Sequence, residues 1–309
     1  MLQRLHVTGA YAFCTLVWGS SYFAVRHQIG DVQLEISLIY RLGIAGLVFF
    51  GLLAIHRRWQ ALALSDHLTV AAFGLCNLAF SYLLLYWATA EMTSAYVVII
   101  FSTKVIMTAC TTSVLLRKPF EGQVAWGGLV GILGVVVLLA PSFMDHHQSI
   151  SAKGVLFAVA GTFITSLGDV ASARSSQKGI NPIQANALGF LYATASLLLL
   201  ALVFGWKPGF SLTPTYLASL AYLAVFASVL AWIFYLDLVG AIGPARAGYM
   251  VALFPTVGAI CSVLFEGLPL TLPLVVGACL AAGGNLIAMR PHRAERSGRR
   301  APASLLPDA

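Results

Sequence analysis

The sequence predicts an all-α membrane protein: ten transmembrane helices arranged as two inverted five-helix repeats around a central cavity. Three observations predict this fold. The 309 residues are 59% hydrophobic and 9% charged, with a mean hydropathy of +0.87, whereas soluble domains carry about 25% charged residues. The apolar residues form ten segments, each close to the ~20 residues that a spanning helix needs. The two halves of the chain also match one another at a spacing of 149–153 residues.

Each predicted span is an apolar run bounded by charged or turn-forming residues. The first run lacks a small-x-small cleavage site and continues into Arg26 and His27, so we interpret it as a span and not as a signal peptide. The ten predicted spans are 7–25, 34–55, 68–90, 94–116, 124–140, 154–173, 183–204, 216–238, 245–265 and 272–289.

The internal repeat is visible at matched positions in the two halves. Trp18-Gly19-Ser20 corresponds to Leu167-Gly168-Asp169, and Tyr82 corresponds to Tyr235. A unit of five helices has an odd number of crossings, so the second unit enters the membrane in the opposite orientation. Inverted repeats of this kind are a transporter architecture whose substrate site lies near the bilayer midplane.

This repeat divides the chain into three parts. We predict a first five-helix repeat in residues 1–145 and a second, inverted repeat in residues 146–290. Residues 291–309 are basic and rich in Ala, Ser and Pro, which predicts a disordered cytoplasmic tail.

The basic residues outside the spans are distributed unevenly between the two sides. If the N-terminus is inside, the outer loops hold only Arg26, Lys153 and Lys207, and thirteen basic residues lie inside. Those thirteen are Arg4, Arg57, Arg58, Arg117, Lys118, Arg174, Lys178, Arg246, Arg290, Arg293, Arg296, Arg299 and Arg300. The positive-inside rule then predicts a cell inner-membrane protein with both termini cytoplasmic. Lipid topology also explains the net charge of +7 without a nucleic-acid partner.

Four short motifs occur in order along the predicted spans. They are Trp18-Gly19-Ser20 with Tyr22, Tyr40-Arg41, Phe254-Pro255, and the turn from Gly267 to Leu270. Over roughly residues 7–290 the chain resembles EamA-type members of the drug/metabolite transporter superfamily. The resemblance implies ten helices around a central cavity and proton-linked or passive export of small metabolites.

Lys104 and Asp169 are charged residues deep inside predicted spans. An isolated ammonium at the bilayer centre costs about 2.5–3.5 kcal/mol on insertion scales, so a buried acid, water or an anionic substrate must compensate it. Asp169 is the one acid deep within a span, which makes it the candidate proton-coupling site. A structural ion pair between these two residues is the alternative, and the sequence leaves both interpretations open.

Arg41 is the second intramembrane cation, in the outer third of the second span. Three roles fit its position. It can bind a substrate carboxylate, close an outer gate by pairing with Glu35 or Glu91, or serve as a packing anchor or snorkelling side chain.

The candidate substrate-binding residues share an intramembrane position and a polar or aromatic side chain. Tyr and Trp offer an apolar face and one hydrogen-bonding atom, which suits an amphipathic metabolite. The predicted substrate-binding set is Lys104, Arg41, Trp18, Ser20, Asn77, Tyr82, Tyr86, Trp232 and Tyr235, with Asp169 as the proton-coupling residue.

Catalytic and metal-binding patterns are absent from the sequence. It contains no HExxH, GxSxG or Walker motif, and its five Cys residues have no metal-ligand spacing. His146-His147 beside Asp145 is interpreted as part of a solvated loop. We therefore expect no enzyme activity, no cofactor and no metal site.

The resulting functional hypothesis is an inner-membrane exporter of small amphipathic metabolites, amino acids first, that works by alternating access. A multidrug or nucleoside-like solute exporter is the alternative within transport, and a receptor or scaffold is the alternative outside it. A closed-end cavity that reaches Lys104 would favour transport, whereas a tightly packed bundle would favour a scaffold. The partners expected are the small-molecule substrate, the lipid bilayer and protons, with a monomer and a homodimer both left open.

The charge distribution makes a prediction about topology. A reporter enzyme that works only in the cytoplasm should be active when it is fused to the C-terminus, because the thirteen basic residues favour the cytoplasmic side. An external C-terminus would contradict the ten-span count and the inverted repeat together.

Overall fold

The computed structural model describes residues 2–57, 59–117, 119–120, 122–144, 151–242 and 249–288. Within these residues the chain forms ten helical rods, which confirms the predicted all-α fold. In chain order they are α1 (Leu2–Gly19 and Ser21–Arg26), α2 (Leu34–His56), α3 (Leu64–Phe73, Gly74–Phe80 and Ser81–Glu91), α4 (Ser94–Phe101 and Lys104–Leu116), α5 (Gly122–Met144), α6 (Ala152–Gln177), α7 (Pro182–Phe204), α8 (Pro214–Ala221, Tyr222–Leu230 and Ala231–Ile242), α9 (Tyr249–Leu253 and Phe254–Phe265) and α10 (Leu272–Ala288).

Seven rods, α2 to α8, are long and apolar enough to cross a membrane by length and composition. Met250–Phe265 in α9 and Leu272–Ala288 in α10 are shorter apolar helices. We call the end of the bundle where α1 begins and α10 ends the proximal end, and the opposite end the distal end.

Several predicted boundaries differ from the observed ones. The first span is interrupted at Ser20, whose hydroxyl donates to the carbonyl of Leu16. The rod α6 continues to Gln177, four residues past the predicted span. The predicted start at 245, the end at 289, the repeat boundary at 145–146 and the tail all lie outside the described residues.

The inverted repeat is evident in the irregular segments of the helices. A π-helical segment lies inside α3 at Gly74–Phe80, and another lies inside α8 at Tyr222–Leu230. The rod α4 is interrupted after Phe101, and α9 changes from a 3-10 segment to an α-helix at Phe254. These irregularities fall at equivalent positions of the two repeats, so the backbone itself is repeated.

Residues with positive φ confirm the same correspondence. Gly30 and Gly179, which are 149 positions apart, have φ of 95° and 71°. Arg117 and Gly267, 150 positions apart, follow α4 and α9 with φ of 50° and 69°. A left-handed residue after a helix is a common termination signal, so corresponding helices of the two repeats end in the same way.

The two repeats pack against each other along their whole length. The rods α2 and α7 pair, with Phe49 stacked on Phe190 at a ring separation of 5.5 Å. The rods α5 and α10 pair through glycines, since a Cβ on Gly277 would lie 2.9 Å from the carbonyl oxygen of Gly134. Small residues allow such close backbone approach, which is how membrane helices gain packing energy.

This glycine contact predicts different effects for two adjacent residues of α10. A Cβ on Gly284 would overlap the backbone of Gly127 and Gly131, whereas a Cβ on Gly283 meets nothing within 4 Å. We expect Gly284→Ala to destabilise the protein by about 1–3 kcal/mol, as overpacking does, and Gly283→Ala to cause no loss. Thermal unfolding in detergent measures the stability of both variants. Equal stabilities of the two variants would contradict the close contact between α5 and α10.

Candidate functional site

A cavity of about 550 Å³ lies between the two repeats. Its lining extends from Val25 near the distal end of α1 to Ile180 in the proximal loop between α6 and α7 and Pro182 at the start of α7. Polar residues, Ser175 and Ser176, line it at the proximal end. Ser176 is exposed there, so among the residues that the structure describes the cavity is closed at the distal end and reaches the surface at the proximal end.

The distal end is closed by contacts between the repeats. Arg26 lies 3.7 Å from Glu266, which joins α1 to α9. In the distal loops, Asp31 accepts hydrogen bonds from Thr213 and Ser211. These hydrogen bonds hold the pKa of the Asp31 carboxyl below its ordinary value, so the loop contact contains a charged acceptor at neutral pH.

Lys104 and Asp169 form an ion pair at the middle of the cavity. Lys104 Nζ lies 3.1 Å from Asp169 Oδ2, and the two side chains are 23% and 24% exposed. The Thr108 hydroxyl donates to the same oxygen at 2.9 Å, and the Asn77 amide donates to Oδ1 at 2.8 Å. Both oxygens of the carboxylate are thus engaged, and the ion pair left open by the sequence is present.

Local backbone features position this cluster. The interruption of α4 at Ser102 and Thr103 makes Lys104 the first residue of the proximal helical segment. Asn77 lies in the π-helical segment of α3. Gly168 allows α3 to approach α6, because a Cβ there would lie 2.6 Å from the Cβ of Asn77.

Arg41 is 4% exposed and is held by neutral groups. Its Nε donates to Ser228 Oγ at 3.0 Å, one terminal nitrogen donates to the Tyr86 hydroxyl at 3.3 Å, and the guanidinium lies 4.5 Å from the ring centre of Tyr82. Among the described residues, no carboxylate lies within ion-pair distance of Arg41.

The predicted pairing of Arg41 with Glu35 or Glu91 is therefore wrong. Glu35 accepts a hydrogen bond from the Trp87 indole at 2.7 Å, and Glu91 pairs with Lys153 at 2.9 Å. Six residues separate Glu35 from Arg41 on α2, so the two side chains project from different faces of the helix.

Three aromatic rings form one wall of the cavity. Trp18, Trp232 and Tyr235 meet edge to face, with ring centres 5.5–5.9 Å apart. The Trp18 indole donates to the carbonyl of Ala227 at 2.9 Å, which fixes its ring plane. Phe101 and Phe254, at the irregular points of α4 and α9, line the cavity as well. This wall offers a rigid apolar surface facing the charged cluster.

Most of the residues predicted from the sequence come together in this cavity. Its lining includes Trp18, Arg41, Asn77, Tyr82, Tyr86, Lys104, Asp169, Trp232 and Tyr235. Ser20 is the exception: its hydroxyl lies 2.7 Å from the Tyr222 hydroxyl, on the side of α1 that packs on α8. Ser20 follows Trp18 by two residues, which is about 200° around a helix, so the two cannot share a face.

Sequence reasoning missed Tyr22, Phe73 and Thr165 as site residues, and these also line the cavity. A signal for α1 was present, because Trp18, Ser21, Tyr22 and Val25 follow the i, i+3, i+4, i+7 spacing of one helix face. Phe73 and Thr165 carry no comparable signal, since their roles depend on how α3 and α6 are rotated.

The charged groups of the cavity define what it can bind. Arg41 and Lys104 supply two positive charges and Asp169 one negative charge, which leaves the cavity with one uncompensated positive charge. In the part of the chain that the structure describes, no cluster of three or more His, Cys, Asp or Glu side chains is placed to hold a metal ion. His146-His147 lies outside that part. The arrangement suits reversible binding of an anionic group beside an aromatic surface.

Comparison with known proteins gives a consistent picture across the chain. The model of the EamA-like transporter family matches residues 9–140 and 152–290. The uncharacterized transporter YvbV of Bacillus subtilis (strain 168) is 26% identical over 297 residues, which cover 93% of this chain and 92% of that protein. A solved crystal structure with 17% identity superposes with a TM-score of 0.64, covering 91% of this chain and 96% of its own, and that likeness concerns the fold alone.

Proposed function

This chain belongs to the EamA-like transporter family, and from that premise we propose that it exports small amphipathic metabolites that carry a carboxylate, amino acids first. The protein works in the cell inner membrane by alternating access, with both termini in the cytoplasm. The proximal end is then the cytoplasmic end, in agreement with the basic residues Arg57, Arg117, Arg174 and Lys178 found there.

One observation carries the proposal: Arg41 is buried at the cavity and has no carboxylate partner in the described residues. A guanidinium has five N–H donors, and Ser228 and Tyr86 take only two of them. A substrate carboxylate can accept two parallel hydrogen bonds from such a group, which is a strong and geometrically specific interaction. The substrate would also supply the negative charge that the cavity lacks.

The remaining parts of an amino acid have matching surfaces. The rings of Trp18, Trp232 and Tyr235 suit an apolar side chain. Asp169 accepts three donors, from Asn77, Thr108 and Lys104, and a carboxylate has about four acceptor sites. One acceptor site is left for the ammonium group of the substrate or for a proton.

The cavity also bears on the alternatives. A closed-end cavity that reaches Lys104 is what transport requires and what a scaffold protein would not need. A multidrug or nucleoside-like solute would use the aromatic wall, but it would give Arg41 no compensating charge. Arg41 therefore favours carboxylate substrates within the transport class.

Asp169 is the proposed proton-coupling residue. Its side chain is 24% exposed to the cavity, so a proton can reach it from the proximal side. Protonation at a carboxylate oxygen removes its charge and with it the attraction to Lys104 at 3.1 Å. Because Lys104 is on α4 and Asp169 on α6, this event loosens a contact between the repeats.

The first prediction tests the Arg41 site. Arg41→Met should reduce transport of amino acids at least about 100-fold relative to their decarboxylated amines, since two charge-assisted hydrogen bonds contribute roughly 3 kcal/mol. Arg41→Lys keeps the charge but loses the two-pronged geometry, so we expect an intermediate loss. The measurement is the flux of each amino acid and of its decarboxylated amine in proteoliposomes.

Ser20→Ala is the matched control, because Ser20 lies outside the cavity lining. It should keep the ratio of amino-acid to amine transport. If Arg41→Met also keeps that ratio, carboxylate binding by Arg41 is wrong.

The second prediction tests proton coupling by Asp169. Asp169→Asn should retain downhill exchange of substrate and lose accumulation driven by a pH gradient. The double variant Asp169→Asn/Lys104→Met removes both charges. If the ion pair were purely structural, this double variant would regain the activity that each single variant loses. We expect the double variant to remain uncoupled. The measurement is substrate accumulation in proteoliposomes with an imposed pH gradient.

Asp66→Asn provides the control, since Asp66 pairs with Lys178 at 2.8 Å outside the cavity lining. This variant should accumulate substrate normally. Gradient-driven accumulation by Asp169→Asn alone would rule out the coupling role.

A further inference from the structure

We propose that Glu266 is the distal gate residue: it fastens the distal halves of α4 and α9 together, and its bonds make the substrate-free protein rest with the cavity open at the proximal end. This inference goes beyond the proposed substrate, and it rests on alternating access only. Four observations lead to it.

The first observation is that α4 and α9 contact each other mainly through their distal segments. Ser94–Phe101 and Phe254–Phe265 pack directly on each other. Among the described residues the proximal segments have different main neighbours, because Lys104–Leu116 packs chiefly on α6 and α5 whereas Tyr249–Leu253 packs chiefly on α10 and α1. Both proximal segments line the cavity. The distal contact is thus the closed gate of this conformation.

The second observation is that Glu266 caps the N-terminus of α4 from another helix. Its Oε2 accepts from the backbone N–H of Ser94 at 3.0 Å and from the Ser262 hydroxyl at 2.9 Å. Ser262 Oγ in turn accepts from the N–H of Ala95 at 2.8 Å. The N-cap residue Thr93 makes no side-chain cap hydrogen bond. Two N–H groups at the start of α4 therefore find their hydrogen-bond acceptors on Ser262 of α9 and on Glu266, which directly follows α9.

The third observation is the ion pair of Glu266 with Arg26. Glu266 is 4% exposed, and its Oε1 lies 3.7 Å from Arg26 Nε. Arg26 also donates to the carbonyls of Thr89 at 3.3 Å and Met92 at 3.0 Å, at the distal end of α3. One buried carboxylate and one arginine thus join α1, α3, α4 and α9. Arg26 itself is 34% exposed, and Glu266 Oε1 makes no hydrogen bond among the described residues, so Arg26 provides the charge compensation of a buried oxygen.

The fourth observation is that the positions corresponding to Glu266 and Arg26 at the proximal end hold residues that cannot form this pair. The spacing of 150 that relates Gly267 to Arg117 aligns Glu266 with Leu116, and the spacing of 149 that relates Gly179 to Gly30 aligns Arg26 with Ser175. Leucine and serine cannot form an ion pair. Arg174, beside Ser175, makes an exposed hydrogen bond to the backbone carbonyl of Leu115 in α4.

Together these observations explain why one conformation is favoured. If the side chains of the two repeats matched as their backbones do, the distal and proximal gates would have equal stability, and the conformational equilibrium would be balanced. The bonds of Glu266 stabilise the distal gate, and Leu116 at the corresponding position cannot form them, so the equilibrium is shifted toward the proximal-open state. A transporter that rests in this state takes its substrate from the proximal side, which is the direction that export requires.

The experiment measures gate opening without substrate. Spin labels at Ala90 and Leu270, both exposed at the distal end, report the distance across the gate in a variant whose native cysteines are replaced. We expect one short distance in the parent protein. Glu266→Gln should raise the fraction with a longer distance at least about tenfold, which corresponds to 1.4 kcal/mol.

Lys153→Gln is the matched control, because it removes a distal surface ion pair between α3 and α6. Its distance distribution should equal that of the parent. If Glu266→Gln does not fold, Ser262→Ala removes one oxygen from the same network and should shift the distribution in the same direction. An unchanged distribution in the Glu266→Gln variant, or in Ser262→Ala where only that variant folds, overturns the proposal. An equal shift in Lys153→Gln also overturns it. Because no substrate is present, the result is independent of what the protein transports.

Discussion

The charge of an ionised side chain inside a membrane protein must be compensated, and the ion pair with Asp169 compensates the charge of Lys104. The pair joins α4 of the first repeat to α6 of the second, at the centre of the cavity. Its geometry depends on two departures from regular helix, the interruption of α4 and the π-helical segment that carries Asn77, and on the close approach of α3 to α6 at Gly168. All three features lie where the two repeats contact each other.

Arg41 meets the same constraint in a different way. It is surrounded by hydroxyl groups and aromatic faces, which accept its hydrogen bonds and partly stabilise its charge without neutralising it. The compensating anion must then come from whatever occupies the cavity. The two cations of the cavity thus have different consequences, because Lys104 has a carboxylate on a neighbouring helix and Arg41 has only neutral neighbours.

The backbone of the two repeats is nearly symmetric, but their side chains are not. The π-helical segments and the left-handed helix ends recur at a spacing of about 150 residues. Ser20 in the first repeat corresponds to Asp169 in the second, and Leu116 corresponds to Glu266. A symmetric backbone allows two equivalent conformations. In our proposal the asymmetric charges decide which of the two is more stable.

The sequence by itself determined the ten helices, the inverted repeat and the set of residues at membrane depth, because hydropathy and periodicity act along one helix and are visible in a linear chain. It could also have identified Tyr22, which shares a helix face with Trp18. Only the tertiary structure decided that Asp169 pairs with Lys104, that Arg41 meets neither Glu35 nor Glu91, and that Ser20 packs against Tyr222. The role of Glu266 was equally invisible, since it caps a helix 172 residues away. Each of these contacts depends on the rotation and position of one helix relative to another, which no pattern within a single helix specifies.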